Sequence, residues 1–193
     1  MSTLRIHLIR HGQTAWSITG QHTGTTDIPL TALGEDEARR LGVRLRGLEF
    51  SHVFTSPRWR ARQTCELVGL NAEPLVHPDL AEWDYGAYEG QTPAEICAIR
   101  PSWNIFQDGA PQGESPEQVA LRVNRLIAML GKLTGNVALF THGHLGRVIG
   151  ARWIHLTVEH GRNFLLNTAS VSILSYEHGR VEQPAIEQWN TCE

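Results

Sequence analysis

Two apolar segments that each run into a histidine and a glycine constrain the fold of this chain most. Residues 4–9 (LRIHLI) alternate apolar and polar side chains, end on two apolar ones, and lead directly into the Arg-His-Gly tripeptide at 10–12. Residues 137–141 (VALFT) are a second apolar run, and a His-Gly-His tripeptide follows at 142–144. Both patterns predict buried β-strands. Because ligands of open α/β sheets bind beyond the carboxyl ends of the strands, both histidines are predicted to reach one crevice.

The residue types at the end of the first strand suit phosphate chemistry. An imidazole at His11 can attack as a nucleophile or carry protons near neutral pH. Arg10 offers a fixed fork of donors for a phosphate, and Gly12 lets the backbone approach a ligand closely. The alternative is a strand end followed by a glycine turn, with His11 at the surface. The tripeptide alone favours that alternative.

A third strand end carries arginines. The short run 52–54 is followed by Ser56, and Arg58, Arg60 and Arg62 then lie at the start of a predicted helix. A helix N-terminus with arginines is a good site for an anion. Two histidines and several arginines at three strand ends are hard to explain by folding alone.

Helical periodicity alternates with the strands. The patterns predict helices at about 33–48, 57–70, 115–133 and after His144, and late strands at 168–176 and 180–187. This alternation favours a three-layer α/β/α sandwich around a mainly parallel sheet. No interdomain linker is visible, so residues 1–193 are predicted to form a single domain. Residues 83–113 are rich in glycine, proline and aromatics, and are predicted to be a cap-like insertion over the crevice.

Bulk composition excludes several classes of function. The net charge of −3 gives no general attraction to nucleic acid, and no apolar run approaches the length of a membrane span. Cys65, Cys97 and Cys192 are scattered without a CxxC spacing, which predicts neither a disulfide framework nor a zinc cluster. A cytoplasmic location is the resulting expectation, and the sequence leaves a homodimer open.

The residues of these motifs and their order in the chain resemble those of the histidine phosphatase superfamily, in its phosphoglycerate-mutase-like branch. The matching pieces are Arg10-His11-Gly12, Ser56-x-x-x-Arg60-Ala61, Leu80-x-Glu82-x-x-Tyr85-Gly86-x-x-Glu89-Gly90 and His142-Gly143. They span most of the chain, and they imply a phosphoglycerate-mutase-like fold with one histidine phosphatase domain over 1–193. The loop at 16–27 is similar to that of fungal sedoheptulose-1,7-bisphosphatases and mycobacterial acid phosphatases of this family.

The resemblance also implies a role for each residue of the crevice. His11 would form a phosphohistidine, and Arg10 and Arg60 would clamp the phosphoryl oxygens. His142 would donate a further hydrogen bond, and Glu82 would act as general acid and base. Such a pocket takes its positive charge from its own side chains, so neither a metal nor another cofactor is expected. For His142 the alternatives are a structural histidine at a turn and one half of an H-x-H metal pair, although no Asp or Glu lies nearby in the sequence.

Other residues are alternative candidates for the general acid and base and for the phosphate-binding arginine. Asp84 and Glu89 lie near Glu82, and Asp84 is more readily explained as a solvated surface group. Arg58 either reaches the substrate or is solvated. Arg62 fits a surface or ion-pair position, because residues two apart do not share a helical face.

The loop after His11 supplies candidate contacts to the rest of a substrate. Its hydroxyls, amides and glycines suit a phosphorylated, hydroxyl-bearing ligand, although the same groups can bond their own backbone. The predicted substrate-binding residues are Ser17, Thr23, Gly24, Arg58 and Gly143.

The predicted function is a phosphatase that hydrolyses small phosphorylated metabolites, such as sugar phosphates or bisphosphates. A phosphoglycerate mutase is the second candidate, and a non-catalytic phosphate-binding protein is the third. Mutases of the family usually carry Asn where this chain has Ser17, and Arg100 is the only basic residue between positions 91 and 113. Five aromatic residues of the predicted cap would cover a small ligand: Trp83, Tyr85, Tyr88, Trp103 and Phe106. Packing beneath a loop explains Trp103 and Phe106 equally well.

Overall fold

The centre of this protein is a six-stranded sheet. A computed structural model describes residues 3–192. Its strands are β1 (Arg5–Arg10), β2 (Phe50–Thr55), β3 (Pro74–Val76), β4 (Asn136–Thr141), β5 (Val171–Tyr176) and β6 (Pro184–Thr191). Their spatial order is β3-β2-β4-β1-β5-β6. The two strands that lead into histidines, β1 and β4, are therefore neighbours in the middle of the sheet.

Strand direction brings those histidines to one edge. β1 pairs with β4, and β2 pairs with both β4 and β3, in parallel, whereas β5 is antiparallel to β1 and β6 is antiparallel to β5. Arg10 is the register partner of Thr141, so His11 and His142 leave the sheet side by side. The α/β class and the mainly parallel sheet are confirmed, with two antiparallel pairings added on one side.

Seven α-helices accompany the strands within residues 3–192. They are α1 (Ala15–Thr19), α2 (Ala32–Arg44), α3 (Trp59–Val68), α4 (Pro93–Ile99), α5 (Ile105–Asp108), α6 (Pro116–Leu130) and α7 (Gly143–Trp153). Hydroxyl caps fix the starts of the two longest helices: Thr31 accepts the Gly34 N–H at α2, and Ser115 accepts the Gln118 N–H at α6. Among the described residues, none of these helices combines the length and the apolar character needed to cross a bilayer.

Several predicted elements differ from the observed ones at their ends, and the differences are largest at α2 and β6. Helix α2 ends at Arg44 rather than at 48, because the chain turns there and reaches a left-handed Gly47 with a φ of 87°. Strand β6 begins at Pro184 rather than at 180. A turn closed by a hydrogen bond from the Glu177 N–H to the Gln183 carbonyl precedes it. Turn geometry, which the apolar pattern does not encode, sets both boundaries.

Helices cover both faces of the sheet. Alternation along β1 sends Ile6 and Leu8 to one face and Ile9 to the other. The first face packs against α6 and α7, where Val123 belongs to the same buried cluster. The second face packs against α2 and α3, where Leu41 is buried. The structure is therefore the three-layer α/β/α sandwich that the sequence predicts.

The loop after β1 packs directly on the start of α2. A Cβ added to Gly12 would lie 2.4 Å from the carbonyl oxygen of Gly34. A Cβ added to Gly34 would lie 2.1 Å from the carbonyl oxygen of Gln13. Glycine at these two positions therefore allows a close approach of backbone to backbone, which places the segment that carries His11.

We expect Gly34→Ala to lower the free energy of unfolding by about 1–3 kcal/mol, because the added methyl group meets backbone that cannot rotate away. Urea denaturation followed by circular dichroism measures the change. Gly131→Ala is the matched control, since its Cβ would find its nearest neighbour at 3.5 Å and its φ of −60° suits alanine. Equal stabilities of the two variants would contradict this account of the loop.

Candidate active site

One cavity opens at the carboxyl ends of β1 and β4, with a volume of about 220 Å³. Its wall is formed by the end of β1, the loop and helix that follow, the Glu82 segment and the start of α7. The lining residues are Arg10, His11, Thr14, Trp16, Ser17, Gly20, Gln21, His22, Thr23, Glu82, Tyr85, Pro93, Gly143, His144, Arg147 and Leu166.

His11 lines this cavity with a neutral imidazole ring. Its Nδ1 lies 2.7 Å from the carbonyl oxygen of Gly12. Because a carbonyl can only accept, the proton is on Nδ1 and Nε2 keeps its lone pair. Burial lowers the pKa of His11 well below its ordinary value, and the charges of Arg60 and Arg10 lower it further. An unprotonated ring nitrogen is therefore available at neutral pH.

His142 is fully buried beside His11, with 5.2 Å between the ring centroids, and does not itself line the cavity. Ser56 Oγ accepts the N–H of Arg58 at 3.1 Å and forms a hydrogen bond of 2.7 Å with Nε2 of His142. Nδ1 of His142 has no hydrogen-bond partner among residues 3–192. Burial and the charge of Arg60 lower the pKa of His142 well below its ordinary value. The ring is therefore neutral, and its Nδ1 is unpaired beside His11.

Two arginines stand beside the histidines. Arg10 lines the cavity and donates from Nη1 to a backbone carbonyl. Arg60 is fully buried, and its Nη groups donate to the carbonyls of Thr23 and Thr26. In each guanidinium the buried Nε has no partner within the described part of the chain. Both groups are thus held rigidly by backbone and keep a charged donor unpaired, which suits an anion.

Glu82 is the only carboxylate among the described residues that line the cavity. Its Oε1 accepts the N–H groups of Trp83 and Leu145 at 2.9 and 2.8 Å, and Oε2 accepts that of His144 at 3.0 Å. Two of these donors belong to the first turn of α7, whose N–H groups have no partner within the helix. The carboxylate therefore caps α7 and is fixed in the same cavity as His11.

Arg122 on α6 holds the segment that carries Glu82. Its Nη1 donates to the carbonyls of Asp79 and Ala81 at 3.0 and 2.8 Å, and its Nη2 donates to that of Glu82 at 3.3 Å. It also forms a salt bridge of 2.7 Å with Glu114. The sequence gives no sign of this role, because the three carbonyls converge only when the loop folds against α6.

The five predicted substrate-binding residues do not share one location. Ser17, Thr23 and Gly143 line the cavity, whereas Gly24 and Arg58 do not. The structure thus brings six of the ten predicted site residues to the cavity surface. Those six are Arg10, His11, Glu82, Ser17, Thr23 and Gly143.

Local structure already engages some of these loop residues. The Ser17 hydroxyl forms a capping box with Thr14, accepting its N–H at 2.9 Å. The Gly24 N–H donates to the carboxylate of Glu89 at 2.9 Å, and a Cβ on Gly24 would lie 2.5 Å from the Trp83 carbonyl oxygen. For Gly24 the alternative that the sequence left open, a structural loop, describes what is observed.

The two alternative carboxylates, Asp84 and Glu89, also accept hydrogen bonds from backbone N–H groups. Asp84 accepts the N–H of Gly86 at 2.9 Å, and Glu89 accepts that of Thr26 at 3.0 Å as well as that of Gly24. Neither of them lines the cavity. Of these three carboxylates, only Glu82 lines the cavity.

Most aromatic residues of the predicted cap pack into the core rather than facing the cavity. Residues 83–113 contain α4 and α5. Trp83 and Phe106 form an edge-to-face pair with centroids 5.9 Å apart, and Trp103 is buried. Tyr85 is the one member of the predicted aromatic set that lines the cavity. For Trp103 and Phe106, packing beneath the loop is therefore the observed arrangement.

Three basic side chains that line the cavity were not predicted as site residues: His22, His144 and Arg147. Arg147 follows Gly143 by four residues on α7, so the two share a helical face, and this spacing could have revealed it. His144 accepts or donates a hydrogen bond of 2.5 Å between its Nδ1 and the Tyr85 hydroxyl. His22 packs against the Tyr85 ring, and burial lowers the pKa of His22 to about 4.

The histidines of the 142–144 motif do not converge on one point. His142 bonds Ser56, whereas His144 bonds Tyr85. Within residues 3–192, no group of three or more His, Cys, Asp or Glu side chains is arranged to hold a metal ion. Activity without a metal stays a prediction.

Comparison with known proteins links this geometry to a family. A model of the histidine phosphatase superfamily (branch 1) matches residues 6–191. An acid phosphatase of Mycobacterium tuberculosis is 41% identical over 186 residues, which are 94% of this chain and 91% of that protein. Sedoheptulose 1,7-bisphosphatase of Saccharomyces cerevisiae is 35% identical over 249 aligned positions, with 96% and 92% covered. The solved structure of a Mycobacterium tuberculosis open reading frame product matches with a TM-score of 0.91 and 37% identity, covering 98% of both chains.

Proposed function

We propose that this chain, which belongs to branch 1 of the histidine phosphatase superfamily, hydrolyses phosphate monoesters of small metabolites through a phosphohistidine. The family resemblance inferred from the motifs is confirmed. One observation carries the proposal furthest: His11 lines the cavity as a neutral ring whose Nδ1–H is fixed by Gly12, which leaves Nε2 free to attack.

The first chemical step transfers the phosphoryl group to His11. Its Nε2 attacks phosphorus, and the bond from phosphorus to the alcohol oxygen breaks. The phosphoryl oxygens repel a nucleophile unless their charge is offset. We assign that task to Arg10 and Arg60, with the buried N–H of His142 as a further donor. The unpaired Nε groups of the two arginines and the unpaired Nδ1 of His142 support these roles.

Glu82 supplies and recovers the proton. In its protonated form it donates to the leaving alkoxide, and the product alcohol departs. As a carboxylate it then takes a proton from the water that attacks the phosphohistidine, which releases inorganic phosphate and restores Nε2 of His11. Its position as the only carboxylate among the described cavity residues supports this double role.

The substrate class follows from the relatives and from the cavity. The two curated relatives are named for phosphatase activities, one of them toward a sugar bisphosphate. A cavity of about 220 Å³ with polar and aromatic walls suits a small phosphorylated metabolite. We therefore place sugar phosphates and bisphosphates first among the candidate substrates. A cytoplasmic location, a homodimer and a separate cap function for residues 83–113 stay predictions.

We expect water to be the usual phosphoryl acceptor, so phosphate release from sugar phosphates should outpace isomerisation of 3-phosphoglycerate. The assay measures free phosphate from a panel of sugar mono- and bisphosphates, and 2-phosphoglycerate formation with a bisphosphoglycerate primer, all in the presence of EDTA. The phosphate released by a His11→Ala preparation is subtracted as the background from contaminating phosphatases. Isomerisation faster than release on every substrate would favour the mutase, and binding without turnover would favour the non-catalytic phosphate-binding protein.

A further inference from the structure

A pair of charged side chains outside the cavity holds the segment that carries Glu82. Arg122 on α6 is buried, and Glu114 lies just before that helix. Neither is among the described residues that line the cavity. Nε and Nη2 of Arg122 donate to the two carboxylate oxygens of Glu114 at 2.7 and 2.8 Å. A two-point contact of this kind fixes the plane of the guanidinium as well as its position.

The Arg122 guanidinium uses its whole set of N–H groups. Two of them bond Glu114, and three more match the carbonyls of Asp79, Ala81 and Glu82. A lysine has its donors on a single nitrogen and cannot reach all of these acceptors. The position therefore requires the fork of an arginine, and positive charge alone does not replace it.

Glu114 fixes the residues that follow Glu82. Its Oε2 accepts the Asp84 N–H at 3.0 Å, and its own N–H donates to the Asp84 carbonyl at 2.9 Å. Its carbonyl accepts the indole N–H of Trp83 at 2.9 Å. The carbonyl of Glu82 is bound to Arg122, and the next two residues are bound to Glu114. The backbone at the proposed general acid is thus held by both members of the pair.

The contacts of the Glu82 carboxylate with α7 depend on its protonation, whereas the backbone contacts do not. Its oxygens accept the N–H groups of His144 and Leu145 at 3.0 and 2.8 Å. When the carboxylate takes up a proton, one oxygen becomes a donor and its contact with an N–H group is lost. The bonds to Arg122 and Glu114 involve other atoms and persist. They therefore hold Glu82 in the form that donates its proton.

We propose that Arg122 and Glu114 are positioning residues for proton transfer, because they keep the protonated Glu82 within reach of the leaving oxygen. This inference rests on the proposed function and adds to it two residues that do not touch the substrate. A misplacement of about 1 Å can lower the rate of a step by about 10²-fold. Loss of the pair should therefore slow the reactions whose leaving group needs a proton. A role in folding alone would slow all substrates alike.

The test uses two mild variants and two leaving groups. Arg122→Lys keeps the charge opposite Glu114, and Glu114→Gln keeps the shape of the partner. We expect each to lower the single-turnover rate of phosphorylation by the fastest sugar phosphate of the panel about 10- to 100-fold. With p-nitrophenyl phosphate the loss should stay below about threefold, since its leaving group needs no proton. The matched control is Arg125→Gln, because Arg125 joins α6 to the same segment through a salt bridge of 2.8 Å with Asp79 and is 64% exposed. Loss of such a surface pair should lower either rate by less than about threefold.

Amide hydrogen exchange, followed by NMR, separates this inference from the proposed function. The N–H groups of His144 and Leu145 donate to Glu82, so their exchange reports where its carboxylate lies without any turnover. We expect exchange at both amides to be about tenfold faster or more in the two variants, and unchanged in the control. The Leu139 amide on β4 should keep its rate, which shows that the fold is intact. Faster exchange at the two amides, in a chain whose parent hydrolyses no sugar phosphate, would defeat the proposed function and leave the placement of Glu82 by the pair standing. Unchanged exchange there, or equal rate losses with both kinds of phosphate, would show that the pair serves only the fold.

Discussion

Replacing His11 by alanine is expected to lower phosphate release by at least about a thousandfold, because the only nucleophile of the proposed reaction is removed while the arginines remain. The ring of His11 is already neutral and its Nδ1–H is fixed by the Gly12 carbonyl, so Nε2 is the nitrogen that is left free to attack. Steady-state release from a sugar phosphate measures the loss.

Trapping gives an independent measure of the same step. Rapid denaturation at alkaline pH, where phosphohistidine survives, followed by mass spectrometry should map the phosphate to His11. His52→Ala is the matched control, since His52 lies on β2 and outside the cavity. A phosphate on any other residue, or normal activity in His11→Ala, would rule out this nucleophile.

The second large effect is expected for Glu82→Gln, and it should depend on the leaving group. General acid help is worth roughly 10²–10⁴-fold when the leaving group needs it. A sugar alkoxide leaves badly without a proton, whereas a nitrophenolate leaves unaided. Single-turnover kinetics of the phosphorylation step should therefore show a far larger loss with a sugar phosphate than with p-nitrophenyl phosphate.

Glu82→Gln also disturbs the fold, and a control separates this effect. Both carboxylate oxygens of Glu82 accept backbone N–H groups, so an amide would place a donor against a donor. Glu89→Gln causes the same kind of loss at Gly24 and Thr26 without touching the cavity. Equal losses for both substrates in Glu82→Gln would assign Glu82 a purely structural role.

Strand ends were the part of the site that the sequence could predict. An apolar run indicates a buried strand, and parallel neighbouring strands bring the residues at their carboxyl ends to one edge of the sheet. For this reason the sequence predicts that His11 and His142 lie close together, and their ring centroids are 5.2 Å apart. The role of Ser56 beside His142 is also within reach of the sequence, because it follows the third strand.

The rest of the site depends on contacts between segments that are distant in sequence. Arg122 holds the Glu82 segment from α6, and Arg147 is fixed by the carbonyl of Gly161. No local periodicity encodes such pairings. Gly24 is predicted to contact a ligand, but its N–H donates to the carboxylate of Glu89 instead.

Burial of the histidines links the chemistry of this protein to its response to acid. Burial is the largest cause of a lowered pKa at five histidines in the fold: His7, His11, His22, His142 and His144. In the unfolded chain these groups regain pKa values near 6.5 and take up protons below that pH, whereas the native state stays unprotonated. Each one then removes about 1.4 kcal/mol of stability for every pH unit below 6.5, until its own native pKa is reached. The burial that keeps a nucleophile unprotonated in mildly acidic solution thus has a second effect, because the chain must release protons when it folds below pH 6.5. Acid therefore shifts the folding equilibrium toward the unfolded chain.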